Sequence, residues 1–191
     1  MIARDALTLG VLAGGRGSRL GGCDKAWIVR DGIAQIERIA RRFESEVARV
    51  LVSANRDAAR FEALGFDVVS DRVPDLGPLG GLDALANACT TPWLLTVPVD
   101  LVFVNECLLP TLASAGGQGA SVEDDDGPQP LVALWQVEAL RSSFPRRREG
   151  DLSVQSLQTA LDMPRIRLNG VRFGNLNTFD DLAAVGATIP R

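Results

Sequence analysis

The sequence contains no histidine and no tyrosine among its 191 residues. The absence of histidine excludes a Ser-His-Asp triad, a Cys-His pair and a histidine-ligated zinc site within this chain. It also excludes imidazole, the side chain that most often acts as a general acid or base. An enzyme of this composition has to rely on carboxylates, lysine, arginine, backbone amides and a bound metal ion.

Cysteine is scarce, and long apolar runs are missing. The three cysteines, at positions 23, 89 and 107, are widely spaced and form no CxxC motif. This pattern predicts no disulfide framework and favours the reducing cytoplasm. Asp5 interrupts the apolar run near the N-terminus, which lacks the apolar core of a signal peptide. No stretch approaches the roughly 20 apolar residues that span a bilayer.

Positive charge is not in excess either. The chain has 20 Lys and Arg against 24 Asp and Glu, which gives a net charge of −4. This balance argues against nucleic acid or a membrane surface as a general partner. The length and the 46% hydrophobic content predict that residues 1–191 form one domain with its own core.

Short apolar runs alternate with helical patterns along the chain. The predicted strands are 6–12, 49–53, 66–70, 93–97, 131–135 and 165–168, and the predicted helices are 33–43, 58–64, 78–89, 106–115, 137–144, 153–161 and 179–185. This alternation predicts an α/β fold with a mostly parallel sheet, whose ligands bind at the carboxyl ends of the strands. The acidic segment 123–130 (EDDDGPQP) is expected to be a solvated loop.

A glycine-rich loop follows the first predicted strand. Residues 12–25 (LAGGRGSRLGGCDK) contain five glycines together with Arg16, Arg19 and Lys25. Successive backbone amides in such a loop form a concave anion site, and cations add charge-assisted hydrogen bonds to phosphate. The loop satisfies neither the P-loop pattern nor the GxGxxG fingerprint, because Cys23 and Leu20 occupy required positions. It nevertheless predicts a site for a nucleoside triphosphate.

The same segment resembles the signature LAGG-x-x-x-R-[ML]-G-G-x-D-K of the molybdenum cofactor guanylyltransferases, the MobA family. The matching residues are Leu12, Ala13, Gly14, Gly15, Arg19, Leu20, Gly21, Gly22, Asp24 and Lys25. Molybdenum cofactor cytidylyltransferases typically carry LAAG here, and the looser GxGxRL of sugar-nucleotide pyrophosphorylases is satisfied as well. The resemblance implies a Rossmann-like, three-layer α/β/α fold of the GT-A-like nucleotidyltransferase type.

Two polar residues follow the second and third predicted strands. Asn55 aligns with an asparagine that contacts the nucleotide in the family; an Asx turn is the alternative. Asp71 aligns with the acid that precedes the family's GPL-[AG]-G, and its carboxylate can accept from N1–H and the exocyclic amine of guanine. Gly80 and Gly81 either allow close approach of a sugar or phosphate or allow close packing of the helix on the sheet.

Asp100 ends the apolar run before it, at the carboxyl edge of the predicted sheet. A carboxylate beside bound phosphates suits Mg²⁺, and a helix cap or a turn is the alternative. The family pattern here is P-x-D-x-P-[FL]. This chain has Pro98, Asp100 and Phe103, but Val102 stands where the second proline is common. The resemblance implies that Asp100 is the Mg²⁺ ligand.

Residues 174–182 (GNLNTFDDL) resemble the family's N-[IVL]-N-T-P-x-D-[LF], with Phe179 in place of proline. In the family this region lies near molybdopterin, the second substrate. The amides of Asn175 and Asn177 can donate to and accept from the edge of a pterin. The alternative is a cap on the last helix by Asn177 or Thr178, and the two roles are compatible.

The resemblance as a whole implies Mg²⁺-dependent transfer of GMP from GTP to molybdopterin, which gives molybdopterin guanine dinucleotide and pyrophosphate. It assigns catalysis to Arg19, Lys25 and Asp100. The implied binding residues are Leu12, Ala13, Gly14, Gly15, Lys25, Asn55, Asp71, Asp100, Asn175 and Asn177. Proteins that deliver or accept the cofactor are implied as transient partners. The open alternatives are a cytidylyl- or sugar-phosphate nucleotidyltransferase and a non-catalytic nucleotide-binding relative.

Two further features stay open at this stage. Cys23 lies inside the glycine-rich loop, either as a spacer or as a thiol made reactive by nearby arginine and lysine. The basic run 146–148 either meets a second phosphorylated substrate or lies in a solvated loop.

Overall fold

The computed structural model describes residues 2–14, 20–73, 76–144 and 153–190. The strands of this part of the chain are β1 (Leu7–Leu12), β2 (Val29–Arg30), β3 (Ile33–Ala34), β4 (Arg49–Ser53), β5 (Asp67–Val69), β6 (Trp93–Pro98), β7 (Gly119–Asp124), β8 (Gly127–Gln136) and β9 (Arg165–Arg167). The α-helices are α1 (Gln35–Phe43), α2 (Ala58–Glu62), α3 (Pro78–Ala88), α4 (Leu108–Ser114), α5 (Val137–Ser143), α6 (Val154–Ala160) and α7 (Phe179–Ala184). Single 3₁₀ turns at Arg4–Ala6 and Lys25–Trp27 precede β1 and β2.

One large sheet has the strand order β5-β4-β1-β6-β8-β7-β9. The first four strands of this order are mutually parallel, and β8 is antiparallel to both β6 and β7. The predicted mostly parallel sheet is therefore confirmed. The carboxyl ends of the four parallel strands and the amino end of β8 meet at one edge of the sheet, as this pairing requires.

Apolar side chains cover both faces of the sheet. Phe43 of α1 and Leu108 of α4 belong to one buried cluster, whereas Leu82 of α3, Leu140 of α5 and Leu157 of α6 belong to a second. The two clusters lie on opposite faces, which gives the expected three-layer α/β/α fold. Burial on both faces explains why β1 is a nearly continuous apolar run.

Every predicted helix and strand has a counterpart in the structure, with ends that differ by a few residues. The strand β7 and the β2–β3 hairpin are not among the predicted elements. Each strand of the hairpin is only two residues long, too short for a pattern. Its turn residues Asp31 and Gly32 have φ of 53° and 75°, the left-handed values that a two-residue hairpin turn requires. None of the helices among the described residues is long and apolar enough to cross a membrane.

The expectation of a solvated loop at 123–130 is wrong. This segment contains the turn of the β7–β8 hairpin, and the Asp124 side chain is fully buried. Its carboxylate accepts hydrogen bonds from the Asp126 and Phe173 N–H groups and from Gln129 Nε2. These bonds satisfy the buried charge, which is why an acidic sequence can enter the interior.

Burial alone raises the pKa of the Asp124 carboxyl. The hydrogen bonds from Phe173, Gln129 and Asp126 outweigh this effect and hold the pKa below its usual value. The carboxylate is therefore ionised at neutral pH and ties the hairpin to the segment that begins at Phe173.

Gly80 and Gly81 allow α3 to approach the sheet edge closely. A Cβ atom at Gly81 would lie 2.6 Å from Ser53 Oγ and 2.8 Å from Leu12 Cδ2. A Cβ atom at Gly80 would lie 2.9 Å from Asp71 Cγ. The close-packing interpretation of these glycines is thus correct, and it places the amino end of α3 directly beside the ends of β1 and β4.

We expect Gly81→Ala to lower the free energy of unfolding by about 1–3 kcal/mol, because the added methyl group overlaps atoms of two strands. Alanine has a higher helix propensity than glycine by about 1 kcal/mol, which by itself would stabilise the helix. A loss of stability therefore shows that the steric overlap outweighs this gain. Gly14→Ala is the control, since its Cβ meets no atom of the described residues within 4 Å. Thermal or urea denaturation checks the prediction, and a Gly81→Ala protein as stable as wild type contradicts it.

Acid unfolding tests the buried carboxylate of Asp124. A lowered pKa in the folded state gives stabilisation that is complete at neutral pH and disappears as the pH falls below about 4. We expect Asp124→Asn to lower the free energy of unfolding at pH 7 by about 1–3 kcal/mol and this deficit to shrink in acid. Asp126→Asn, which changes an exposed carboxyl two residues away, should shift the free energy by less than about 0.5 kcal/mol. A deficit that is independent of pH contradicts the assignment.

Candidate active site

A cavity of about 540 Å³ opens at the edge where the carboxyl ends of the parallel strands meet. This volume lies within the range of about 300–1,000 Å³ that is typical of small-molecule sites. The predicted residues that line it are Leu12, Ala13, Gly14, Lys25, Asp71, Asp100, Asn175 and Asn177. Residues more than 160 positions apart in the sequence therefore share one site. Gly15, Arg19 and the basic run 146–148 lie outside the described residues.

Further lining residues are not among the predicted ones: Ser53, Gln129, Pro130 and Leu131. Ser53 ends β4, so its position follows once the strand order is known. Gln129, Pro130 and Leu131 come from the amino end of β8. The first two lie in the segment expected to be a loop, and Leu131 begins the predicted strand 131–135. Their signal in the sequence is the segment 128–135 (PQPLVALW), which resembles the family's strand before a helix.

Lys25 connects two walls of the cavity. Its Nζ donates to Asp100 Oδ2 over 2.8 Å and also to Asn177 Oδ1. The Asp24 side chain holds the turn that carries Lys25 by accepting from the Ala26 N–H over 3.0 Å. Trp27, which ends this turn, is buried against the Phe61 ring at 4.6 Å. Lys25 is thus presented to the cavity by a 3₁₀ turn anchored in the core.

Asp100 lies in a loop whose carbonyl groups are held by side chains. The buried Gln35 at the start of α1 donates to Leu101 O, and Arg30 donates to Val102 O over 3.1 Å. Arg42 donates to the carbonyls of the next residues of the loop, 104 and 105. These bonds fix the backbone on which Asp100 depends.

Backbone hydrogen bonds join the Asp100 loop to the segment around Asn175. Asp100 O accepts from the Leu176 N–H over 2.8 Å, and the Val102 N–H donates to Gly174 O over 3.2 Å. Leu101 and Asn175 form an antiparallel bridge between these bonds. The valine at 102, which departs from the family pattern, thus supplies a donor that proline lacks.

Asn55 does not line the cavity; it binds Asp71, which does. Asn55 Nδ2 donates to Asp71 Oδ2 over 2.9 Å, and the Asp71 N–H donates to Asn55 Oδ1 over 2.9 Å. Gly80 packs against the same carboxylate. This arrangement fixes the orientation of Asp71 and leaves Oδ1 of its carboxylate for a ligand.

The helix-cap interpretation of the C-terminal motif is correct for Thr178. Thr178 and Asp181 form a capping box at the start of α7. Asp181 also accepts from the Asn177 N–H over 2.9 Å, and these hydrogen bonds lower the pKa of its carboxyl. The Asn177 side chain remains in the cavity, so capping of the helix and lining of the site occur together.

The environment of Cys23 does not favour a reactive thiolate. Burial raises the pKa of its thiol, and the charge of Asp24 raises it further. The opposing effect of Arg60 is smaller. The thiol therefore stays protonated at neutral pH, which supports the role of a spacer.

Comparison with known proteins places this chain in a family. The model of the MobA-like NTP transferase domain matches residues 9–167. A curated relative from Cupriavidus necator, named molybdenum cofactor guanylyltransferase, is 35% identical over 193 residues, which cover 95% of this chain and 97% of the relative. A relative of the same name from Cupriavidus taiwanensis is 35% identical over 96% of this chain and 98% of its own length.

The fold also agrees with solved structures. The crystal structure of molybdopterin-guanine dinucleotide biosynthesis protein A from Archaeoglobus fulgidus superposes with a TM-score of 0.66 at 22% identity and covers 93% of this chain and 96% of that protein. The inositol-1-phosphate CTP transferase of T. maritima has a TM-score of 0.73 at 13% identity, over 95% of this chain and 93% of that one. Since the family model matches well over half of the chain, this protein belongs to the MobA-like NTP transferase family.

Proposed function

We propose that this protein transfers GMP from GTP to molybdopterin, with release of pyrophosphate. The observation that carries the proposal is the cavity in which Asp100, Lys25 and Asp71 meet Asn175 and Asn177. Relatives that match almost the whole chain are named molybdenum cofactor guanylyltransferase, and they support this choice of substrates. We further propose that residues 1–191 act as one domain.

The base of the nucleotide is assigned to the side of the cavity near β4 and β5. Asp71 follows β5, and Asn55 and Gly80 hold its carboxylate. A fixed carboxylate accepts from the two adjacent donors of guanine, whereas adenine and the pyrimidines do not present this pair. Leu12, Ala13, Gly14 and Lys25 line the part of the cavity where the phosphates would follow. Gly15 and Arg19 are assigned to the phosphates by the family resemblance alone.

The residues present fit Mg²⁺. Asp100 offers the hard carboxylate oxygen that this ion prefers, at a site lined by groups suited to phosphates. Within the described residues no group of three or more acidic, cysteine or histidine side chains could hold a metal ion unaided. This fits an ion that takes one carboxylate from the protein and its other ligands from phosphates and water. Bound at Asp100, Mg²⁺ would offset the charge that develops on the phosphate oxygens.

Catalysis by the chain itself then consists of positioning and charge stabilisation. The terminal phosphate of molybdopterin is already an anion, so its attack on the α-phosphorus needs no general base. Lys25 and Arg19 stabilise the negative charge on the phosphates and on the departing pyrophosphate. This explains how a chain without histidine can perform the reaction. The three cysteines, all within the described residues, are free thiols, which suits the cytoplasm as the place of reaction.

Asp100→Asn tests the metal assignment. We expect metal-dependent turnover to fall by at least about 100-fold, because an amide does not replace a charged ligand oxygen. Pyrophosphate release with GTP, molybdopterin and Mg²⁺ measures turnover, and Mn²⁺ titration followed by electron paramagnetic resonance with GTP present measures metal affinity. Asp5→Asn is the control, since Asp5 is exposed and precedes β1 at the opposite edge of the sheet. Wild-type turnover and Mn²⁺ affinity in the Asp100 variant refute the assignment.

Asp71→Asn tests the choice of base. In wild type, GTP should raise the midpoint of thermal unfolding more than ATP, CTP or UTP does, because only guanine matches the carboxylate. The variant should bind GTP about 10- to 100-fold more weakly, because hydrogen bonds to a charged group contribute about this much to affinity. Asp67→Asn is the matched control, because Asp67 begins β5 at the far edge and pairs with Arg49. Stronger stabilisation of wild type by CTP or UTP than by GTP contradicts the guanylyl assignment.

A further inference from the structure

The β7–β8 hairpin contains an irregularity that reaches the cavity. In the strand pairing Ser121 is opposite Ala133, but its neighbour Val122 is opposite Gln129. Residues 130–132 therefore form a bulge, and Pro130 and Leu131 line the cavity with Gln129. Bulges of this kind occur preferentially beside functional sites, where they redirect side chains.

The bulge is held in place by buried polar groups. Pro130 O accepts from Gln158 Nε2 over 2.8 Å, and Leu131 O accepts from Thr96 Oγ1 over 2.8 Å. Gln158 and Thr96 are both buried. The position of the bulge is therefore determined by the interior of the protein, and Gln129 stands on a fixed backbone.

The orientation of the Gln129 amide is determined as well. Gln129 Nε2 donates to Asp124 Oδ1 over 3.1 Å. Because a carboxylate only accepts, the amide must turn its NH₂ group toward Asp124 and its oxygen away. Among the hydrogen bonds of the described residues none uses Gln129 Oε1, and this atom is not buried. Gln129 thus brings an unpaired acceptor to the wall of the cavity.

Asp124 fixes a second part of the same wall. Its Oδ2 accepts from the Phe173 N–H over 2.9 Å, two residues before Asn175. Gln129, Asn175 and Asn177 all line the cavity, on the side away from Asp71 and β5. One buried carboxylate therefore holds the Gln129 amide directly and the backbone two residues before Asn175.

We propose that Gln129 is a contact residue for the second substrate, with Oε1 accepting from an N–H of its pterin ring, and that Asp124 is its positioning residue. This inference rests on the proposed function. A pterin carries an amine and ring N–H groups beside a carbonyl, so an oriented acceptor next to two asparagine amides matches its edge. The nucleotide, with its base at Asp71, does not contact Gln129.

Gln129→Met tests the contact, because methionine keeps the size of the side chain and removes the acceptor. We expect the Kd for molybdopterin to rise about tenfold, because one hydrogen bond contributes about this much to affinity. Fluorescence titration measures the Kd, and the KM for molybdopterin should rise by the same factor. The KM for GTP and kcat at saturation should stay at wild-type values. The thermal midpoint should fall slightly, because methionine also removes the Nε2 donor to the buried Asp124 carboxylate. Gln155→Met, the same exchange on the exposed face of α6, should change none of these quantities.

The outcomes separate the two proposals. A wild-type protein that releases no pyrophosphate from GTP and molybdopterin overturns the proposed function. A Gln129→Met protein that binds molybdopterin as wild type does overturns the contact, whatever the result for turnover. A wild-type protein that binds no molybdopterin overturns both.

A double-mutant cycle tests the role of Asp124. Asp124→Asn should raise the Kd for molybdopterin about tenfold, since the amide of Gln129 is then free to turn. In the Gln129→Met background the same exchange should raise it far less, because the oriented acceptor is already gone. Equal effects in both backgrounds, or no effect in either, would show that Asp124 has only a structural role.

Discussion

The ion pair between Lys25 and Asp100 is the contact on which the site depends. The two side chains are 17% and 22% exposed, so neither charge is well solvated and each needs the other. Asn177 completes the arrangement by accepting a second hydrogen bond from Lys25. Under the proposed function, an incoming phosphate gives Lys25 another anionic partner and leaves the Asp100 carboxylate to a cation. The Lys25–Asp100 pair is therefore neutral before the substrate arrives and holds both charges in place for it.

Two departures from the family pattern are compensated by hydrogen bonds. At position 102 the backbone N–H of valine binds Gly174 O, so the loop after Asp100 is tied to the opposite segment where the family has a rigid proline. At position 179, the first residue of α7, proline would start a helix without loss of a hydrogen bond. Here the capping box of Thr178 and Asp181 starts the helix. Neither departure leaves the site open or unsupported, which speaks against a relative that has lost its function.

Sequence patterns predict the parts of this fold that are buried on both faces. The runs that become β1 and β6 have no polar side, and the helices that cover them show the 3.6-residue period. The edge at which polar residues gather follows from parallel strand order, so Asp71 and Asp100 could be placed together before any distance was known. The roles of Gly15 and Arg19 in the glycine-rich loop stay predictions, because both lie outside the described residues.

The acidic hairpin could not be predicted, for a physical reason. The local sequence shows that burying these carboxylates would be unfavourable. It does not show the hydrogen-bond donors, far along the chain, that compensate for the burial. The N–H of Phe173, which binds Asp124, lies 49 residues further along the chain. The same limit applies to Asn55, whose side chain supports Asp71, 16 residues away. Its contact with the nucleotide stays a prediction. Long-range polar pairing is thus the part of the site that only the folded chain displays.

The wall formed by Asn175 and Asn177 also has a consequence for synthesis of the protein. Lys25 and Asn177 are 152 residues apart, although they touch in the folded chain. At ribosomal rates of about 5–20 residues per second, Lys25 leaves the ribosome on the order of ten seconds before its partner. The wall of the cavity that Asn177 contributes can therefore form only after the rest of the lining has been synthesised, so the Lys25 contact with Asn177 is among the last to become possible.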